Sequence, residues 1–125
     1  MTIARALNHV SFAVRDLDRS LGFYRDVLGL RPIPRPDFGI PGAWLQAGAA
    51  QIHLIQVPAD VDVGTPPPTV NPLAGHTAFF IEDYGATTAA LRAAGLAVME
   101  TSPEAGQMWV RDPDGHVIEF ISVTR

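Results

Sequence analysis

Apolar and polar positions alternate along this chain in short runs, and the order of the runs occurs twice. Leu7 to Val14 reads as a strand in which Val10, Phe12 and Val14 face one way and His9, Ser11 and Ala13 the other. Asp16 then offers an N-cap, Leu17, Leu21, Tyr24 and Leu28 recur at helical spacing, and Gly29 fits a helix stop. A short strand follows near Leu30 to Ile33. Pro32, Pro34, Pro36 and Pro41 make the next stretch an irregular loop, because proline cannot donate to a ladder. Ala43 to Ala47 and Gln51 to Val57 then predict a hairpin around Gly48-Ala49-Ala50. The first module, residues 5–58, is therefore βαβββ.

A proline-rich connector, residues 59–74, carries Pro66-Pro67-Pro68 and Pro72. The same order then returns over residues 75–125. Gly75 to Ile81 predicts a strand, Tyr84 to Ala94 an alanine-rich helix closed by Gly95, and Leu96 to Thr101 a strand. Gln107 to Arg111 and His116 to Val123 predict a hairpin across the Asp112-Pro113-Asp114-Gly115 turn. This gives an α+β chain of two tandem βαβββ modules.

Superimposing the modules brings chemistry into register. His9 falls on His76 at an offset of 67 residues, and His53 falls on Glu119 at an offset of 66. Each module thus has a ligand-capable residue on its first strand and another on its last. Glu119 lies between Ile118 and Phe120, where an isolated charge is costly to desolvate and needs a partner. A single histidine on an apolar strand reads as a satisfied core residue; four such side chains at symmetric positions read as one site. Trp44 and Trp109 read as packing. His116 reads as a turn residue, Arg25 and Arg92 as solvated helix residues, and the pairs Asp16/Asp18 and Asp112/Asp114 as cap and turn chemistry.

Composition narrows the function. The net charge of −4, with no basic stripe, argues against nucleic acid as a partner. No apolar run approaches bilayer length and the opening residues lack a signal-peptide core, so no membrane partner and a cytoplasmic address are expected. With no cysteine, any metal must be held by His, carboxylate or water. No dinucleotide fingerprint, phosphate loop or Ser-His-Asp order is present.

Leu7-Asn8-His9-Val10, Phe23-Tyr24-Arg25-Asp26-Val27-Leu28-Gly29-Leu30, Gly75-His76 and Asp112-Pro113-Asp114-Gly115-His116-Val117-Ile118-Glu119 resemble the signatures of the vicinal oxygen chelate superfamily, the glyoxalase I, bleomycin-resistance and extradiol-dioxygenase group. The resemblance covers nearly the whole chain, which would then be a single glyoxalase-type domain over residues 1–125. It implies that the modules curl into a cupped mixed sheet around a divalent ion (Zn, Ni, Co, Fe or Mn), with His9, His53, His76 and Glu119 on the metal-ligand positions. His53 stands where many glyoxalases carry a carboxylate, so the implied shell is three histidines and one glutamate. The implied activity is that of a lyase or isomerase acting on a small molecule, with Glu119 or a metal-bound hydroxide as base and the ion stabilising an enolate-like intermediate. One alternative is an iron-dependent dioxygenase, since His9, His76 and Glu119 form a 2-His-1-carboxylate set. Another is a metal-free drug-binding protein of the bleomycin-resistance kind, against which the intact quartet counts. Exposed sheet edges predict a homodimer.

Overall fold

The computed structural model describes residues 1–122, which divide into two compact units, the first Met1–Val63 and the second beginning at Gly64. In the first unit β1 (His9–Val14), β2 (Arg31–Ile33), β3 (Gly42–Ala47) and β4 (Ala50–Gln56) form one mixed sheet in the order β1-β4-β3-β2. β1 runs parallel to β4, and the other pairings are antiparallel. A parallel neighbour needs a crossover. Here it begins with α1 (Leu17–Leu21), whose N-cap Asp16 accepts from the Arg19 amide at 3.2 Å.

The crossover departs from the expected single α-helix. Residues Gly22–Val27 are π-helical, and the Leu28 amide donates to the Phe23 carbonyl at 2.9 Å. The wider turn shifts the inward face. Ser20, Phe23 and Tyr24 are buried, whereas Leu17, Leu21 and Leu28 are only half-buried. Tyr24 stacks on Phe12 with centroids 5.4 Å apart, and Phe23 meets Tyr24 edge-on at 4.8 Å. Phe12, Val14, Leu45, Ile52 and Leu54 complete this core, each such side chain contributing roughly 1.5–3 kcal/mol by leaving water. The opposite sheet face keeps His9, His53, Trp44, Gln46 and Gln51.

The second unit repeats the plan. β5 (Thr77–Ile81), β6 (Met99–Glu100), β7 (Gln107–Arg111) and β8 (Val117–Ser122) pair in the order β5-β8-β7-β6, again with one parallel pair, β5 with β8. The crossover is α2 (Tyr84–Ala93), capped by Asp83, which accepts from the Ala86 amide at 2.9 Å. Tyr84, Thr88 and Leu91 of α2 are buried, as are Met108, Val110, Ile118 and Phe120 of the sheet. The Thr88 hydroxyl lies 3.6 Å from the Met108 sulfur, and the Tyr84 hydroxyl donates to the Gln107 carbonyl at 2.9 Å.

Three boundaries differ from the sequence pattern. β5 starts at Thr77, which leaves His76 just ahead of the strand. β6 is two residues long instead of spanning Leu96 to Thr101, because the Leu96 amide turns back to the Leu91 carbonyl and closes the helix. Val123, expected to end the last strand, lies outside the described residues. Between β7 and β8, the Asp112 carboxylate accepts from the Asp114 and His116 amides, both at 2.9 Å. Gly115 closes that turn at φ +90°, where a Cβ would lie 2.9 Å from Pro66.

Candidate metal centre

Strand register decides which side chains share a face. On β4, His53 lies opposite Trp44 of β3 and Ser11 of β1; His9 lies opposite Gln51 and is therefore diagonal to His53. On β8, Glu119 lies opposite Trp109 of β7 and Ala78 of β5. Both tryptophans thus stand across a hairpin from the ligand candidate of their own module.

In the second unit, Glu119 is only 7% exposed, and a buried carboxylate must find donors. It finds three neighbours. The Trp109 indole Nε1 donates to Oε1 at 3.0 Å, the Gln107 amide Nε2 donates to Oε2 at 3.3 Å, and His76 Nε2 lies 2.9 Å from Oε1. The other nitrogen of His76, Nδ1, lies 2.7 Å from the Ala74 carbonyl oxygen. A carbonyl oxygen only accepts, so Nδ1 carries the proton. A neutral His76 then turns the lone pair of Nε2 toward a carboxylate oxygen. That contact is favourable only with a cation between or on these atoms: a proton on Nε2, or a metal ion bound by both. A proton on Nε2 makes the contact a hydrogen-bonded pair; the donor types are also ones a metal site uses, with the outer ring nitrogen held by a backbone carbonyl as in many histidine–metal centres. Without a metal the His76 imidazole is held above its ordinary value, first by the bond to Ala74 and then by Glu119, against the opposing effect of burial.

The first unit arranges its pair differently. His9 Nδ1 lies 2.7 Å from the Asn8 side-chain oxygen, leaving Nε2 with a lone pair for a ligand. His53 is sandwiched: its ring stacks on His9 at 3.9 Å and 13°, and on Trp44 at 4.4 Å and 8°. His53 Nε2 bonds to the Gln51 side-chain oxygen at 2.8 Å. Burial pushes the His53 imidazole down, with the neighbouring His9 and Arg35 acting in the same direction. The column continues outward, since Phe38 lies 6.2 Å from Trp44 and the Arg35 guanidinium sits 4.9 Å over the Phe38 ring.

Each unit therefore brings its two sequence-selected residues together. In neither unit, among the described residues, do three or more His, Cys, Asp or Glu side chains cluster. Trp44, Trp109, Gln107, Gln51 and Asn8 complete the surroundings of the four residues. Sequence reasoning assigned the tryptophans to packing. Counting back across each hairpin from His53 and Glu119 would have found both.

Comparison with known proteins is decisive for the family. Residues 6–120 match the model of the Glyoxalase/Bleomycin resistance protein/Dioxygenase superfamily. The chain belongs to that superfamily. Glyoxylase I 4 of Arabidopsis thaliana is 36% identical over 122 residues, covering 92% of this chain and 69% of that protein. Lactoylglutathione lyase of Haemophilus influenzae is 36% identical over 125 residues, covering 90% and 89%. Among solved structures, the trypanothione-dependent glyoxalase I of Leishmania major is 25% identical with a TM-score of 0.76, covering 95% of this chain and 87% of that one. Within the superfamily the chain is glyoxalase I-like along nearly its whole length, and these relatives are enzymes.

Proposed function

We propose that this protein is a metal-dependent lyase or isomerase of the glyoxalase type that moves a proton at a carbon next to a carbonyl of a small molecule. The observation that carries the reading is the contact of His76 Nε2 with the Glu119 carboxylate at 2.9 Å, made while Nδ1 donates to a backbone carbonyl. Within the second unit, His76 and Glu119 would hold a divalent ion; within the first, His9 has Nε2 available to a ligand. The ion, when bound, supplies a positive charge that stabilises negative charge developing on a substrate oxygen. Glu119 has two differently occupied oxygens. Oε1 takes the indole N–H at 3.0 Å and faces His76, while Oε2 has only the longer Gln107 contact at 3.3 Å. Oε2 is the atom we assign to accept the substrate's proton. Trp109 and Gln107 hold the carboxylate in one orientation while it does so.

The names of the relatives suggest a thioester product such as S-lactoylglutathione. A homodimer belongs to the same reading, supported by sheets that end on unpaired edges within their own units, β1 and β2 in one, β5 and β6 in the other. No described helix is long and apolar enough to cross a membrane.

Protein purified without an affinity tag, stripped with chelator and titrated with zinc, nickel or cobalt tests the metal assignment. The expected result is saturable binding that is abolished or weakened by more than about tenfold in His76→Ala and Glu119→Ala. Binding unaffected by either substitution would refute it.

A further inference from the structure

The stacked rings of the first unit constrain what His53 does. An imidazole binds an ion in its own plane, along a nitrogen lone pair, at about 2.1 Å. The rings of His9 and His53 are face to face, 13° from parallel with centroids 3.9 Å apart. An ion placed in the plane of His9 stands well out of the plane of His53, where no lone pair points. His53 also has Nε2 engaged with Gln51, and its far face is covered by Trp44 at 4.4 Å and 8°. To share an ion held in the plane of His9, it would have to leave the His9 stack, whichever ring nitrogen it used. Its exposure of 8% means that the ring moves against packed neighbours and not into solvent.

We propose that His53 is not a metal ligand but a positioning residue, the fixed middle of a Trp44–His53–His9 column that sets the plane of the His9 ring. The division of labour is then complete for His9. Asn8 fixes which nitrogen of His9 carries the proton, and His53 fixes where the ring points. Trp44 acts one step further out, holding His53 in turn. The column is built by register: Trp44 is directly opposite His53 across the β3–β4 hairpin, and His9 is the diagonal neighbour on the parallel strand. The loop that precedes β3 extends it, with Phe38 beside Trp44 and Arg35 crossing Gly42, where a Cβ would lie 2.7 Å from the guanidinium. The inference rests on the reading of His9 as a ligand and departs from a four-ligand shell.

Three substitutions separate stacking from ligation. His53→Phe keeps an aromatic face and has no lone pair. His53→Gln keeps a neutral ligand atom and has no ring. His53→Ala keeps neither. Zinc affinity is measured by competition with a chromophoric chelator, with thermal melts of the metal-free proteins confirming that each variant folds. The expected result is His53→Phe within about threefold of the wild type, since an aromatic ring between Trp44 and His9 keeps most of the stacking. His53→Gln and His53→Ala should be weaker by about tenfold or more, in the range seen when supports of ligands are removed. A His53→Gln protein that binds as well as the wild type, or a His53→Phe protein that loses tenfold, overturns the proposal. The second readout needs no metal. In the metal-free protein the His9 ring protons should resonate upfield, shifted by the overlying ring, in the wild type and in His53→Phe, and return to ordinary positions in His53→Gln and His53→Ala. His9 resonances that ignore the residue at position 53 overturn the proposal even with a metal-binding protein. Wild-type protein that binds no zinc contradicts the metal assignment instead, and the His9 shifts then still decide what orients that ring.

Discussion

Glu119 is the residue on which the proposed chemistry turns. Glu119→Gln keeps its size and one oxygen, but removes the negative charge and the capacity to take a proton. Its activity at saturating metal should fall by about 10²–10⁴-fold with occupancy measured in parallel. Full activity in the metal-loaded variant would show that the base lies elsewhere. Trp109→Phe tests the support. It keeps a ring at the position but deletes the donor 3.0 Å from Oε1, so metal affinity should fall roughly 10–100-fold with little change in thermal stability. An affinity equal to the wild type would reduce Trp109 to packing. His76 makes a prediction in pH. In metal-free protein its raised value means that its pairing stabilises the fold fully below the ordinary value of 6.5 and that this contribution is lost as pH rises through the higher, folded value. The difference in melting temperature between metal-free wild type and His76→Asn should therefore be largest below pH 6.5 and shrink at higher pH. A difference that grew with pH would have the wrong sign. The pairing of His9 with His53 and of His76 with Glu119 was legible in the sequence, because a repeat offset needs no structure to be counted. Their partners were not. Gln107 reaches Glu119 only because β7 and β8 pair in one register, and the stacking of His53 on His9 depends on a parallel pairing between strands far apart in the chain.

At the scale of elements, strands were read well where alternation was strong and a turn was marked. β3, β4 and β7 match the sequence pattern to within a residue or so, and both caps, Asp16 and Asp83, do what their residue type suggests. The crossover of the first unit was not legible, because a 3.6-residue period was assumed and the chain adopts a π-helical stretch over Gly22–Val27. Phe23 was thereby missed as a core residue, though it is adjacent to Tyr24 and buried with it. The β7–β8 turn is the element on which the site most depends, since it sets Trp109 opposite Glu119. Gly115→Ala introduces a Cβ at φ +90° and 2.9 Å from Pro66, and should cost about 1–3 kcal/mol in urea denaturation. An unchanged midpoint would mean that the turn tolerates a side chain and does not hold the hairpin.

For the whole molecule, the two-module plan was legible because each half carries the same order of elements. The family followed from the same residues, and the match over residues 6–120 shows it. The reaction is another matter, because one fold supports many chemistries and only the site argues for one. The central claim is that a metal-loaded chain moves a carbon-bound proton without oxidising its substrate. The direct test is incorporation of solvent deuterium at the carbon next to the carbonyl of S-lactoylglutathione, followed by mass spectrometry under anaerobic conditions with metal-loaded, chelator-stripped and Glu119→Gln protein. The account predicts exchange in the metal-loaded wild type, little in the other two, and no change when oxygen is admitted. Exchange that persists without metal, or turnover that appears only with ferrous iron and oxygen, would contradict it.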